Sequence, residues 1–235
     1  IQRFRAEGLE PFTGFSIDPS TVTTRGSDYS WGGGVRVGWH GQFTDRLSIA
    51  ASAQSRLYMS EFDKYRGLFA GQGDFDVPPT AVLGVAFKAT PELTLVADYQ
   101  RIWYGEVKSL SNPNVAFVGG LGSDNGLGFG WNDIDVIKLG AQWAYSPDLT
   151  LRAGVSHASE LFEQGNALFN VLAPATTRTH LSLGMTYEIN ASHSISAAYT
   201  RAFNNRIGGV NPLFTGAQTG YVEMSQHELE VSWGY

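Results

Sequence analysis

Apolar residues alternate with small or polar residues along most of this chain. In the last eight residues, "ELEVSWGY", the side chains of Leu229, Val231, Trp233 and Tyr235 share one parity. The same period recurs in "RLSIAASAQSRLYM", "LTLVADYQRIW", "LTLRAGVSH" and "HLSLGMTYEI". A period of two predicts β-strands, because successive side chains of a strand point to opposite faces. We count about nine such segments, and many approach the roughly 9 to 11 residues with which a tilted strand crosses a bilayer.

The connections between these segments alternate between short and long. The short connections are "FTDR", "TPE", "SPD" and "NASH". The long connections lie around 61–76, 109–132, 162–177 and 206–221. Short turns on the periplasmic side and long loops on the outer side are typical of an outer-membrane β-barrel. A soluble sandwich seldom sorts its loops in this way, and structureless loops of this length are uncommon in compact soluble domains.

Large aromatic residues cluster at both ends of the predicted strands. Close to the short turns or to the last residue lie Trp39, Phe43, Phe87, Trp143, Tyr145, Tyr187, Trp233 and Tyr235. Beside the long loops lie Tyr29, Trp31, Tyr58, Trp103, Tyr104, Trp131 and Phe203. Two aromatic belts separated by aliphatic residues match the two interfaces of a membrane. The predicted fold is therefore all-β, a transmembrane antiparallel up-and-down β-barrel, with a soluble all-β domain as the alternative.

The strand count predicts that the chain forms only part of such a barrel. Single-chain bacterial barrels have an even number of strands, and about nine cannot close. The first residues, "IQRFRAEGLEPF", contain no apolar stretch of the kind found in a signal peptide. We expect residues 1–28 to belong to an extracellular loop and residues 29–235 to form the C-terminal strands. The aromatic last residue on an apolar stripe resembles the C-terminal assembly signal of outer-membrane proteins, which predicts the barrel assembly machinery as a partner.

Composition supports this interpretation and excludes other classes of protein. Charged residues make up 16% of the chain, below the roughly 25% of ordinary soluble domains. The net charge is −6 and no run of Lys or Arg is present, so a nucleic-acid partner is not expected. The chain has no cysteine, which excludes disulfides and thiolate metal sites. We expect a multi-pass protein of the Gram-negative outer membrane, surrounded by outer-membrane lipid and lipopolysaccharide.

The hypothesis of an enzyme finds little support in the sequence. Ser156 and His157 are adjacent, and adjacent residues of a strand face opposite sides, so they cannot act as nucleophile and base. The other histidines, among them His180, His193 and His227, show no metal-ligand spacing. We therefore predict no catalytic residue, no metal site and no cofactor, although an outer-membrane hydrolase remains a weaker alternative.

Five stretches contain loop sequences that barrel patterning alone does not require. They are "GVRVGWHGQFTDRLSIAAS", "YMSEFDKYRGLFAGQGDFDVP", "FKATPELTLVADYQRIWYGEVKS", "GFGWNDIDVIKLGAQWAYSPDLTLRAGVSH" and "LFNVLAPATTRTHLSLGMTYEI". These stretches resemble the FadL family of outer-membrane transporters. The resemblance implies a barrel of fourteen strands, of which the strands here would be the last ones. It also implies a channel that takes up hydrophobic molecules, either long-chain fatty acids or aromatic hydrocarbons, by passive diffusion through binding sites. The family's N-terminal hatch, with its Asn-Pro-Ala signature, has no counterpart in this sequence.

Two of the long loops carry more large apolar residues than solvent-exposed loops need. The loop around 61–76 and the stretch "NALFNVLAP" contribute Phe62, Leu68, Phe69, Phe75, Leu168, Phe169, Val171 and Leu172. These side chains either bury one another over the barrel mouth or bind a ligand. The resemblance implies that such segments form a groove where hydrophobic substrates first adsorb. The second stretch is compatible with a short amphipathic helix. A structural or adhesive barrel, the other alternative function, predicts polar loops instead.

Charged residues on the polar parity of the strands are expected to face the lumen. They are Arg36, Arg56, Lys88, Asp98, Glu106, Lys138, Arg152 and Glu188. Such charges either form a salt-bridge network that stiffens the wall or leave a cation unpaired. An unpaired cation would bind the carboxylate of a fatty acid, whereas an aromatic hydrocarbon needs none. The candidates for this role are Arg56, Lys88 and Arg152.

Overall fold

The strands predicted from the sequence are present in a computed structural model, which describes residues 1–114, 119–167, 169–210 and 219–235. In chain order the strands are β1 (Gln2–Phe4), β2 (Asp28–Ser30), β3 (Gly32–Gly33), β4 (Arg36–Gln42), β5 (Leu47–Gln54), β6 (Tyr58–Met59), β7 (Thr80–Lys88), β8 (Leu93–Ile102), β9 (Ile134–Ser146), β10 (Leu149–Ala158), β11 (Thr179–Asn190), β12 (His193–Val210) and β13 (Thr219–Gly234). Nine of them form one antiparallel sheet in the order β13-β12-β11-β10-β9-β8-β7-β5-β4. Within this sheet, each strand is hydrogen-bonded to the strand of the same sheet that follows it in the chain, which confirms the up-and-down arrangement.

The helical segments are short and lie in the connections. Two four-residue helices are present, α1 (Ala70–Gly73) and α2 (Lys108–Ser111). Single 3-10 turns occur at Glu10–Phe15, Pro19–Thr21, Asp63–Tyr65, Tyr104–Glu106, Gln164–Asn166 and Phe169–Val171. Among the described residues, no helix is both long and apolar enough to cross a membrane.

The strand register gives the sheet one apolar face and one polar face. On the apolar face, Ala153 pairs with Ala141 on one side and with Leu183 on the other. The polar face carries the alternate residues of the same strands. The apolar side chains are exposed, since Leu183 retains 54% of its accessible surface. In water each such side chain would cost on the order of 1 kcal/mol or more, whereas lipid contact removes that cost.

The short turns connect consecutive strands at the same end of the sheet, as predicted. Two of them have the same local chemistry. The hydroxyl of Thr44 accepts a hydrogen bond from the backbone N–H of Leu47 at 3.0 Å, and the hydroxyl of Thr90 accepts one from Leu93 at 3.1 Å. A threonine side chain that binds the backbone a few residues ahead stabilises a tight turn. These local bonds fix the register in which the next strand returns.

The last hairpin is longer than the sequence pattern predicted. Much of the expected loop at 206–221 is strand, because β12 continues to Val210 and β13 begins at Thr219. The guanidinium of Arg206 lies 3.4 Å from the ring centroid of Tyr221, and Ile207 pairs with Val222. Cross-strand pairs of this kind stabilise the hairpin beyond the membrane-facing part.

The apolar residues of the sequence change parity near Val136, which predicts a β-bulge there, but the structure has none. Ile134 and Val136 lie on the opposite parity to the outward-facing Leu139, and a bulge would have placed all of them on one face. The register between β8 and β9 instead runs without interruption from Ile102 paired with Ile134 to Leu93 paired with Trp143. The prediction was wrong because the polar face of the sheet accepts apolar residues close to the loops, where Ile134 is partly buried.

Candidate functional site

The buried hydrophobic core of the chain lies in the long loops and not in the sheet. Its fully buried members are Val22, Phe62, Tyr65, Leu68, Phe69, Val107, Leu110, Leu121, Leu127, Phe129 and Phe169. Their side chains come from the N-terminal segment and from three different loops. We call this group the loop cluster. It lies at the ends of the strands opposite the short turns.

The loop between β5 and β7 supplies the centre of the loop cluster. Phe62 and Phe69 are 2% and 7% exposed, and their ring centroids lie 6.2 Å apart. Phe75 is partly buried and lies 4.8 Å from Phe69, while Leu68 is fully buried beside them. The structure therefore brings together all four apolar residues that the sequence singled out in this loop. In this structure they contact one another, and contact with a ligand stays a proposal.

Tyr65 joins this loop to the N-terminal segment. Its hydroxyl donates a hydrogen bond to the carbonyl of Gly26 at 2.7 Å and accepts one from the N–H of Ala6 at 3.0 Å. Its ring packs edge-on against Phe4 at 4.8 Å. A buried hydroxyl that both donates and accepts a hydrogen bond stabilises the contact, because these bonds replace the ones that it made with water.

The loop between β10 and β11 adds Phe169 and a polar anchor. Phe169 lies 5.9 Å from Phe129 and 5.8 Å from Phe12. The amide of Asn170 is fully buried, donates to the carbonyl of Phe129 at 2.7 Å and accepts from the indole N–H of Trp131 at 2.7 Å. An asparagine with both ends of its amide engaged holds the two loops together.

The remaining residues of this stretch differ from the expectation. Val171 and Leu172 are exposed, Val171 by 64%, so they lie on the outer surface of the loop cluster. The prediction of an amphipathic helix is wrong, since the structure has 3-10 turns at Gln164–Asn166 and Phe169–Val171 instead. Leu168, the other candidate here, lies outside the described residues.

Arg56 occupies an ion-paired position above the sheet. It lies beyond the last residue of β5, and its guanidinium forms ion pairs with Asp76 at 2.5 Å and with Asp74 at 3.2 Å. A third contact goes to the backbone carbonyl of Glu106. The residue therefore joins two loops. Strand parity did not predict this position, because both Arg56 and Glu106 lie in connections and not in strands.

The surroundings of Asp74, the second carboxylate beside Arg56, disfavour its charged form. Partial burial and the nearby charge of Asp76 raise the pKa of Asp74 to about 6, against the opposing effect of Arg56. The unfolded chain would release this proton near the ordinary pKa of about 4. The folded loop thus binds more protons between about pH 4 and 6, and its stability falls as the pH rises through that window.

The first prediction concerns this pH dependence. We expect hydrogen exchange in residues 55–79, corrected for its intrinsic pH dependence, to be severalfold slower at pH 5 than at pH 7.5. In the variant Asp74→Asn the corrected exchange rates at pH 5 and pH 7.5 should agree, because the titrating group is absent while Asp76 still pairs with Arg56. An unchanged pH response in that variant would assign the effect to another group.

Two further cations lie on the polar face of the sheet. Lys88 pairs with Thr94, Thr94 pairs with Gln142, and Gln142 pairs with Arg152 on successive strands. Lys88 and Arg152 therefore lie in one row across the sheet. Arg152 donates to the side-chain carbonyl of Gln142 at 3.0 Å and to the hydroxyl of Thr186 at 2.8 Å. Neither cation forms an ion pair with another described residue. Their positive charges are therefore not neutralised by a carboxylate in direct contact.

A small cleft separates Arg152 from an acidic residue that the sequence analysis did not select. The cleft has a volume of about 280 Å³, and Gly184 and Ala198 lie between Arg152 and Glu230. Glu228 and Glu230 lie on the inward parity of β13. The alternation of the sequence was therefore sufficient to predict that both face the polar side. Small residues therefore separate Arg152 from Glu230, and among the described residues these two charges form no ion pair with each other.

The described residues offer no site for metal chemistry. No three His, Cys, Asp or Glu side chains within this part of the chain are placed to hold a metal ion together.

Comparison with known proteins identifies the family. The profile of the family "Outer membrane protein transport protein (OMPP1/FadL/TodX)" matches residues 11–212. No curated protein sequence matches the chain significantly. Among solved structures, the P. putida toluene transporter TodX is 20% identical, with a TM-score of 0.61 over 88% of this chain and 50% of that chain.

Two further structures are similar. The Ralstonia pickettii toluene transporter TbuX is 18% identical, with a TM-score of 0.54 over 89% of this chain and 49% of that one. A Pseudomonas aeruginosa FadL homologue is 17% identical, with a TM-score of 0.55 over 85% and 50%. The chain therefore spans about half the length of the solved structures that it matches, and its nine-stranded sheet has the fold of that half. On the extent of the profile match, this chain belongs to the OMPP1/FadL/TodX family of outer membrane transport proteins.

Proposed function

We propose that this chain forms part of the wall and the outer cover of an outer-membrane channel for hydrophobic small molecules. One observation carries the proposal. The apolar residues of the sheet are exposed on the lipid-facing side, while those of the loops are buried together above the opposite, polar face. This distribution is the inverse of a soluble domain, and it suits a wall that lies in lipid and a cover that holds apolar groups in water.

Family membership supports the same function. The family's name describes transport proteins of the outer membrane, and two of the similar structures are toluene transporters. We infer that molecules move through this protein by passive diffusion between binding sites and that no cofactor takes part. The substrate class, long-chain fatty acid or aromatic hydrocarbon, is open to a direct test on the lumenal cations.

The position of the N-terminal segment is part of the proposal. We propose that residues 1–28 lie on the extracellular side, because Phe4, Ala6, Leu9 and Phe12 pack against the loop cluster. We also propose that the lipid-facing residues contact outer-membrane lipid and lipopolysaccharide, and that the barrel assembly machinery inserts the protein.

A capture surface, meaning the loop residues that first bind a hydrophobic ligand, would contain both exposed and buried apolar side chains. Val171 and Leu172 are exposed and meet a ligand without rearrangement, whereas Phe69 and Phe169 are buried and contact a ligand only when the loops separate. Each apolar side chain in contact with a ligand contributes on the order of 1 kcal/mol. The two layers therefore predict different results when they are mutated separately.

The second prediction tests this capture surface. In the double variant Val171→Ser and Leu172→Ser, we expect binding of a hydrophobic ligand to weaken severalfold to about tenfold, with normal protease resistance. In the double variant Phe69→Ser and Phe169→Ser, we expect weaker binding together with rapid loop cleavage, because buried packing is lost. Equilibrium binding of labelled toluene and oleate to the detergent-solubilised protein measures both effects.

Folding of each variant is checked by heat-modifiable migration on gels. Unchanged affinity of the exposed pair would remove those residues from the ligand path. Unchanged affinity of both folded double variants for both ligands would contradict the proposed capture by these loops.

The third prediction distinguishes the two substrate classes. If the substrate is a fatty acid whose carboxylate binds Arg152, Arg152→Gln should weaken oleate binding about tenfold or more and leave toluene binding unchanged. Lys88→Gln, in the same row, should have a smaller effect, because a lysine donates from one point and not from a planar fork. Equal oleate binding by the wild type and both variants would favour an uncharged substrate.

A further inference from the structure

We propose that the lipid-facing side of the sheet binds the phosphate groups of an outer-leaflet glycolipid. The site consists of two clusters, each with an arginine, a histidine and a hydroxyl group. The first cluster contains Arg178, His157 and Thr179, and the second contains Arg201, His227 and Tyr199. The proposal depends on the membrane position of the sheet but not on the molecule that the channel transports.

The second cluster lies on the last two strands. Tyr199 and Arg201 project from β12 on the apolar parity, where they pair with Leu229 and His227 of β13. The hydroxyl oxygen of Tyr199 lies 2.6 Å from Nδ1 of His227. A guanidinium nitrogen of Arg201 contacts Nε2 of the same ring. The imidazole therefore bridges the guanidinium and the phenol.

The first cluster repeats this arrangement at the upper ends of β10 and β11. His157 pairs with Thr179 in the sheet, and the Thr179 hydroxyl lies 2.8 Å from Nδ1 of His157. Arg178, the residue before β11, is on the opposite parity, and its Nε donates to the carbonyl of Ala158 at 3.0 Å. Another guanidinium nitrogen of Arg178 lies 3.4 Å from Nε2 of His157. Nδ1 again contacts a hydroxyl group, and Nε2 again contacts an arginine.

Hydrogen-bond bookkeeping shows what each cluster offers to a ligand. A guanidinium can only donate, so Nε2 of each ring must accept and the ring proton lies on Nδ1. The Nδ1–H then donates to the hydroxyl oxygen of Thr179 or Tyr199. As a result the hydrogen of that hydroxyl is free to donate outward, as are the remaining N–H groups of the arginine. Both clusters thus present donors and positive charge to a ligand.

The charges of these two arginines are not neutralised inside the protein. Within the described part of the chain, neither Arg178 nor Arg201 forms an ion pair. Arg101, which shares the outward parity of Arg201, differs, since it pairs with Asp135 at 2.9 Å and with Asp133 at 3.4 Å. An arginine on a lipid-facing surface is costly unless it reaches the interface or an anion.

The depth of the clusters corresponds to the outer headgroup region. Arg201 is eight positions along the strand from His193, the first residue of β12, and His157 is likewise eight positions from Leu149, the first residue of β10. At about 3.4 Å per residue and a tilt of about 40°, this distance corresponds to a height of roughly 20 Å in an apolar band of about 25 Å. The short turns mark the periplasmic side, so the clusters lie close to the outer interface.

The two clusters are near enough to bind one headgroup. Leu181 lies two residues after Thr179 and pairs directly with Arg201. Diagonal neighbours of this kind are about 7 to 8 Å apart, within reach of one anionic headgroup. Phosphate suits the donors because its oxygens accept two parallel N–H bonds from a guanidinium. The apolar residues below the clusters would contact the acyl chains of the same lipid.

The test measures lipid binding by the detergent-solubilised full chain in native mass spectrometry. The probes are bisphosphorylated lipid A, the same lipid A without phosphates, and inorganic phosphate. We expect Arg178→Gln with Arg201→Gln to weaken bisphosphorylated lipid A binding about tenfold or more. Tyr199→Phe, which removes one hydroxyl and preserves the ring, should weaken it severalfold. Arg46→Gln, at a short turn on the opposite side of the membrane, should have no effect.

Three results would overturn the proposal. They are equal affinity of the wild type for phosphorylated and dephosphorylated lipid A, equal binding by the wild type and the folded Tyr199→Phe variant, and displacement of lipid A by inorganic phosphate at an equal concentration. The last result would indicate a site for free phosphate. Uptake of toluene or oleate by the double arginine variant should remain at the wild-type level, so failure of this proposal is distinguishable from failure of the proposed transport.

Discussion

Replacement of Leu183 with arginine is expected to lower the free energy of unfolding in a lipid bilayer by about 2–4 kcal/mol. Leu183 lies near the middle of β11 on the exposed apolar face, between Ala153 and Tyr199 of the neighbouring strands. An arginine at this depth must deform the bilayer or extend toward an interface. Urea unfolding in vesicles, followed by heat-modifiable migration, measures the change.

The adjacent residue provides a matched control. Ser182 faces the polar side, where its hydroxyl contacts that of Thr200 at 2.8 Å. Ser182→Arg introduces the same side chain one position away, and we expect a loss of at most about 1 kcal/mol from that hydrogen bond. If both variants lost equal stability, the two faces of the sheet would not differ in their surroundings and the membrane orientation would be wrong.

The other large effect is expected in the loop cluster. Truncation of a buried phenylalanine typically costs about 3–5 kcal/mol, and Phe62 is 2% exposed. For Phe62→Ala we expect the closed loops to lose about 3 kcal/mol, which raises the open fraction about a hundredfold. Tryptic cleavage after Lys64 and Arg66 should accelerate in proportion, since opening precedes cleavage. The sheet should keep its heat-modifiable migration.

Val171→Ala is the control for this experiment. Val171 belongs to another loop of the same cover but is exposed, so its truncation should change the cleavage rate less than twofold. Slow cleavage in the folded Phe62→Ala variant would mean that the loops are held by their hydrogen bonds, such as those of Tyr65 and Asn170, and not by apolar packing.

Both predictions depend on the unusual position of the core. In a soluble domain the loop phenylalanine would be exposed and its truncation would cost little, while the strand leucine would be buried against protein and not against lipid. Here the strands are stabilised by backbone pairing and lipid contact, while the loops rely on the hydrophobic effect. Loss of packing in the loops should therefore leave the strand pairing of the sheet intact.

The candidate site was predicted only in part. Sequence analysis selected Phe62, Phe69 and Phe169 because large apolar residues in a loop need an explanation, and the structure places them in one cluster. It could not predict that Arg56 pairs with Asp74 and Asp76, because this contact depends on the path of the loop. It also could not distinguish Val171 from Phe169, two residues apart, of which one is exposed and the other buried.

Features that depend only on neighbouring residues could be predicted from the sequence. The period of two, the short turns at residues such as Thr44 and Thr90, and the aromatic residues at the strand ends are local patterns. Together they predicted about nine antiparallel strands with one apolar and one polar face. The tertiary structure decided the contacts between distant residues. Tyr65 binds Gly26 across 39 positions, and Asn170 binds Phe129 across 41. Such contacts depend on the position of whole loops in space, which no local pattern encodes.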